Sequence, residues 1–93
     1  MSPTIRRKVW FAGRVQGVGF RYTACDAAAG FAVVGYVRNL SDGRVELVAE
    51  GEPAEIDRFV AVLHDRMRRY ITDVRQVDEA PTGEFRRFGV AYE

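Results

Sequence analysis

GRVQGVGFRYTA, Gly13–Ala24, sets three glycines among a few apolar residues and then places an arginine, Arg21, just inside an incipient helix. The residues on either side decide how it folds. Upstream, KVWFA (Lys8–Ala12) alternates Val9 and Phe11 with Lys8 and Trp10, the period of a strand. Downstream, FRYTACDAAA runs from Phe20 to about Ala29 and puts Phe20, Ala24, Ala27 and Ala28 on one helical face, with Gly30 or Phe31 as its end. The quoted stretch is therefore the loop of a strand–loop–helix unit.

Further along, VVGYVRN (Val33–Asn39) reads as a second strand and RVELVAEG as a third, with Val45, Leu47 and Ala49 alternating against Glu46, Val48 and Glu50. LSDG between them is a hairpin turn, because Asp42 and Gly43 both tolerate positive φ. Pro53 opens a second helix in which Ile56, Phe59, Val60, Leu63 and Met67 recur at helical spacing, and it is expected to end near Arg69. Val74–Glu79 is expected as a fourth strand, APTGE as a turn, and RRFGVAY as a fifth strand with Phe88, Val90 and Tyr92 on one face. The order β-α-β-β-α-β-β predicts an α+β fold, an α/β sandwich with an antiparallel sheet and both helices on one face. In that arrangement strands one and two point the same way, which brings the glycine loop and Asn39 to the same edge.

With 93 residues the chain is expected to form a single domain, residues 1–93, ordered except at its first few residues. A hydrophobic share of 47% with 29% charged residues is that of an ordinary globular protein. A net charge of +1 argues against general nucleic-acid or membrane partners, since counterion release needs clustered cations, so any anion site has to be local. The lone Cys25 excludes an internal disulfide and any cysteine-pair metal or redox motif, and points to a reducing compartment. The opening MSPTIRRKVWFAG has no apolar run long enough for a signal peptide or a membrane span. The expected location is cytoplasmic.

Lacking a Cβ, the glycines of GRVQGVG allow a tight turn that aims several amides at one point. The N-terminus of the first helix adds further unpaired amides and the positive end of its dipole, and Arg21 a planar guanidinium suited to phosphate oxygens. The spacing matches neither G-x-x-x-x-G-K-[ST] nor G-x-G-x-x-G, so the nucleotide-binding motifs do not apply. From the residues alone two readings stand: a phosphate cradle, or a plain strand-to-helix loop with Arg21 in solvent. Asn39 is equally open, because an asparagine beside a turn commonly bonds its own backbone.

GRVQGVGFR followed by GYVRNLSDGRVELVAEG resembles the acylphosphatase family, and GEFRRFGVAY resembles its last strand, so the likeness covers nearly the whole chain. The resemblance implies a ferredoxin-like fold and hydrolysis of the carboxyl-phosphate bond of acyl phosphates to a carboxylate and inorganic phosphate, with no metal, cofactor or covalent intermediate. It puts the phosphate-binding loop on Arg14, Val15, Gln16, Gly17, Val18, Gly19 and Phe20, the catalytic arginine on Arg21, and the water-orienting asparagine on Asn39. By the same analogy the substrate phosphate takes up the water's proton. One departure is RMRRYITDV, which lacks a Gly-Pro pair often found in relatives and is expected to lie away from the catalytic edge.

The chemistry is consistent with so few groups. The leaving carboxylate has a conjugate acid of pKa roughly 4 and departs at neutral pH without a general acid, unlike the alkoxide of a phosphate monoester. What remains is to neutralise the phosphoryl group and aim a water. His64, Cys25 and the dispersed acids Asp57, Asp65, Asp73, Asp78 and Glu79 read as surface or packing residues, and Arg38 as projecting to the face opposite Asn39. The expected partners are a small acyl phosphate and inorganic phosphate, the expected state a monomer. The runner-up is a noncatalytic phosphate-binding or regulatory module of the same fold. A third reading is a detached copy of the acylphosphatase-like domain of larger carbamoyl-transfer maturation proteins, against which the chain's length counts.

Overall fold

The computed structural model describes residues 3–93. Part of the expectation of disorder at the start falls on residues 1 and 2, outside the described residues, while strand β1 (Ile5–Gly13) is already formed three residues earlier than its apolar alternation required. After it come helix α1 (Phe20–Ala28), β2 (Val33–Asn39), β3 (Val45–Gly51), α2 (Pro53–Met67), a 3-10 turn (Arg68–Tyr70), β4 (Ile71–Glu79) and β5 (Phe88–Val90). All five strands join one sheet in the order β4-β1-β3-β2-β5.

The register explains which side chains meet. Val9 of β1 lies opposite Leu47 of β3, which lies opposite Val37 of β2, so the residues of this parity share one face. That face packs on Phe20, Ala24, Ala27 and Ala28 of α1 and on Ile56, Phe59, Leu63 and Met67 of α2, forming one core with both helices on the same side. The small alanines let α1 lie close to the sheet, and Phe11 meets Phe20 with ring centroids 5.0 Å apart. Because β1 and β2 each run antiparallel to β3 between them, their C-terminal ends emerge at the same edge.

β3 is buried on both faces. Its second face holds Glu46, whose carboxylate accepts hydrogen bonds from Trp10 Nε1 at 3.0 Å, Tyr36 OH at 3.1 Å and Arg38 Nε at 2.8 Å. Arg38 thus lies opposite Asn39 across the sheet, as strand alternation requires. On the same helix-free face, Glu50 accepts hydrogen bonds from the Thr82 amide (2.9 Å), the Thr82 hydroxyl (2.8 Å) and the Gly83 amide (3.0 Å). APTGE, expected as a simple turn, is in this way part of a crossing that carries the chain from edge strand β4 over the sheet to edge strand β5.

That crossing corrects one feature of the expected sheet. β1–β3, β1–β4 and β2–β3 are antiparallel, but β5 runs parallel to β2, because the chain reverses direction as it crosses from one edge to the other. β5 is also shorter than RRFGVAY, though Gly35 N donating to Arg87 O at 3.0 Å and Ala91 N to Val37 O at 3.0 Å continue its pairing at both ends. α2 stops at Met67 rather than Arg69, and β4 starts at Ile71 rather than Val74. RMRRYITDV does not lie away from the catalytic edge: Ile71 pairs with Gly13, and Tyr70 O accepts the Arg14 amide at 2.9 Å. An antiparallel partner of β1 has to begin where β1 ends.

Candidate active site

At that shared edge the chain leaves β1 through Gly13 and must turn into α1 within six residues. Val15 is wholly buried and anchors the loop, while Gly17 (φ +77°) and Gly19 (φ +81°) take the left-handed conformation that swings the backbone round it. A Cβ at either glycine would meet nothing within 4 Å, so their positive φ, not lack of space, is what calls for glycine. Gly19 is also the N-cap of α1, and no side chain caps it. The first intrahelical bond runs from Thr23 N to Gly19 O at 3.0 Å, which leaves the amides of the first turn, Phe20 to Tyr22, without intrahelical acceptors. Free amides of this kind are what a helix start can offer an anion.

A cavity of about 430 Å³ opens here. The loop contributes Val15, Gly17 and Gly19, the start of α1 contributes Phe20, Arg21, Tyr22 and Cys25, and Asn39 enters from the end of β2. Val90 and Tyr92 complete it from the C-terminal segment. Arg21 and Asn39 therefore line one cavity although they lie 18 positions apart in sequence. The Arg21 guanidinium carbon lies 5.8 Å from the centroid of the Tyr92 ring, a cation–π distance.

Three residues of the sequence-derived loop do not line the cavity. Arg14 is a correction: its amide is already donated to Tyr70 O, so it has no hydrogen left for an anion. Val18 packs against the hydrophobic core. The Gln16 side chain turns the other way, and its Nε2 donates to Leu40 O at 2.8 Å and Arg44 O at 3.0 Å. It fastens the loop to the turn that follows Asn39. That turn is closed by Leu40 N donating to Arg44 O at 2.8 Å and by Asp42, whose carboxyl the Arg44 amide at 3.0 Å holds below its ordinary range.

The sequence reading missed Tyr22, Val90 and Tyr92 as lining residues; the adjacency of Tyr22 to Arg21 was the one signal available. Cys25 does reach the cavity, but burial raises its thiol pKa, the direction opposite to that of an activated nucleophile. His64 is exposed on α2 and borders a separate groove of about 640 Å³ between α2 and β4. In that groove Arg7 is committed to Asp57 and to Asp78, 2.7 Å away. Among the described residues no group of three or more His, Cys, Asp or Glu side chains is placed to hold a metal ion, and no helix is long and apolar enough to cross a membrane.

Comparison with known proteins places this geometry in context. The acylphosphatase family model matches residues 7–90. An acylphosphatase from Acaryochloris marina (strain MBIC 11017) is 41% identical over 90 residues, covering 97% of this chain and 97% of the relative. The crystal structure of acylphosphatase from Bacillus subtilis superposes with a TM-score of 0.85 at 31% identity, covering 95% of this chain and 99% of the other. The chain also superposes on full-length HypF in its phosphate- and nucleotide-bound form, with a TM-score of 0.80 and 25% identity, over 98% of this chain but only 12% of HypF.

Proposed function

The chain belongs to the acylphosphatase family and is a hydrolase of acyl phosphates, yielding a carboxylate and inorganic phosphate, and on that premise we propose how its own residues divide the work. The phosphoryl group sits at the N-terminus of α1, where the amides of the 15–22 segment and the Arg21 guanidinium neutralise its oxygens. Asn39 orients the attacking water, its side-chain carbonyl accepting a hydrogen bond from the water and its amide group donating one. Water oxygen bonds to phosphorus as the bridging P–O bond breaks, the carboxylate leaves with the bonding pair, and the water's proton passes to a phosphate oxygen. No charged base and no metal is needed, because the leaving group is already a weak base and the transition state asks chiefly for positioning and charge neutralisation.

The observation that carries this reading is the meeting of Arg21, Asn39 and an uncapped helix start in one cavity. The runner-up, a noncatalytic anion-binding module, is not favoured by relatives that are acylphosphatases over nearly their whole length. The same proposal takes residues 1–93 as one catalytic unit acting as a monomer in the cytoplasm. A single half-buried cysteine suits a reducing compartment.

The test is phosphate release from benzoyl phosphate with and without chelator, in the wild type and two variants. Arg21→Ala is expected to lose on the order of 10²-fold or more in kcat/KM and to weaken inhibition by inorganic phosphate. Asn39→Ala is expected to lower kcat while leaving phosphate inhibition nearly intact, because water placement matters only in the transition state. Wild-type kinetics in Arg21→Ala, or an Asn39→Ala variant that loses affinity at unchanged kcat, would reject the assignments.

A further inference from the structure

Among the described residues five large apolar side chains are exposed: Tyr22, Val62, Val77, Val90 and Tyr92. Three of them, Tyr22, Val90 and Tyr92, line the cavity that Arg21 and Asn39 share. Tyr22 and Tyr92 are the most exposed of all, at 75% and 79%. Apolar surface scattered singly over a protein needs no explanation, but its concentration at the mouth of a binding site does. The three residues come from different elements, Tyr22 from the first turn of α1 and Val90 and Tyr92 from β5 and the segment after it, so no local packing requirement explains their meeting. The sequence by itself suggests a small open cradle that reads mostly phosphate and accepts several acyl groups.

We infer that Tyr22, Val90 and Tyr92 form the acyl-binding wall of the site and select acyl phosphates whose acyl group is apolar and bulky, an aromatic ring above all. The inference rests on the acyl phosphate chemistry above and names what that chemistry left open, the class of acyl group. With the phosphate held by the loop amides and Arg21, the rest of the substrate has to leave the cradle past these side chains. A phenyl group buries apolar area against two tyrosine rings and a valine, whereas a methyl group covers little of them. Tyr92 does this while its ring lies against the Arg21 guanidinium, so the acyl wall and the phosphate-binding group share one side chain.

Benzoyl and acetyl phosphate separate this contact from the chemistry, because their carboxylates leave with closely similar basicity. Wild-type kcat/KM is expected to favour benzoyl phosphate by about tenfold, the effect of a partly open apolar contact. Tyr22→Ala replaces an exposed helix residue with the best helix former, so the fold is retained. In that variant the preference is expected to fall roughly threefold to tenfold, while Tyr22→Phe retains it, since the ring and not the hydroxyl makes the contact. Tyr92→Ala is read by the same ratio, because its absolute rate also reflects the loss of the ring beside Arg21. Equal kcat/KM for the two substrates in the wild type, or a preference that survives in both alanine variants, would overturn the inference. Hydrolysis of neither substrate would instead overturn the acyl phosphate reading beneath it.

Discussion

Replacing Gln16 by alanine removes two hydrogen bonds and nothing else that is buried. Its Nε2 donates to Leu40 O at 2.8 Å and to Arg44 O at 3.0 Å, and so ties the glycine loop to both ends of the turn that follows Asn39. Each neutral hydrogen bond is worth about 0.5–1.5 kcal/mol net, and because the side chain is exposed its two acceptors regain water in the variant, so the total loss is about 1–2 kcal/mol. If that energy holds Asn39 opposite the cradle, the same amount appears in the barrier, a fall in kcat/KM of roughly fivefold to thirtyfold. The assay is phosphate release from benzoyl phosphate, with inhibition by inorganic phosphate and thermal unfolding measured on the same samples. Phosphate inhibition should weaken less than kcat falls, since Gly17, Gly19 and Arg21 remain. Thermal midpoint should drop by about 4–8 °C per kcal/mol for a chain of this size. Gln16→Glu, which turns a donor into a charged acceptor facing two carbonyls, should be at least as damaging. A variant with the expected thermal loss but kcat/KM within twofold of wild type would refute the reasoning, leaving Gln16 a purely structural tie.

Gly13→Ala tests the junction at the other end of the loop. Gly13 has φ +128°, and a Cβ there would stand 2.2 Å from Tyr70 O, so β1 and β4 would have to separate; a loss on the order of 3 kcal/mol or more in chemical denaturation is expected, and one below about 1 kcal/mol would contradict the close approach. Glu50 predicts a pH dependence. Burial pushes its carboxyl pKa up, but the Thr82 and Gly83 amides, the Thr82 hydroxyl and Arg6 outweigh that and hold it below the ordinary 4.5. Its contribution to stability is therefore complete above about pH 4.5 and is lost as pH falls through the lowered folded value. Glu50→Gln should be less stable at neutral pH and show a shallower acid limb, the remainder coming from Asp42, Glu55 and Asp78, also held low; superimposable acid limbs for variant and wild type would count against the anchor.

What the amino-acid sequence determined by itself was everything carried by local chemistry and periodicity. Alternation in KVWFA and VVGYVRN, the alanine face of α1 and the Ile56–Met67 stripe of α2 each encode which side is buried, and their order leaves few topologies. The glycine loop was readable from the strand and helix patterns that flank it, but the residues alone left Arg21 either in a phosphate cradle or in solvent, and the family resemblance chose between them. Tertiary structure alone decided what depends on residues far apart in the chain. The parallel pairing of β5, the crossing loop pinned by Glu50, the early start of β4 and the loss of the Arg14 amide to Tyr70 all follow from which strand lies beside which. Edge strands such as β4 and β5 are paired along one side only and bury little of their surface, so their limits are set by their neighbours rather than by their own residues. The acyl wall is of the same kind: Tyr22 and Tyr92 lie 70 positions apart in sequence, and nothing in either neighbourhood says that folding will bring them to one cavity.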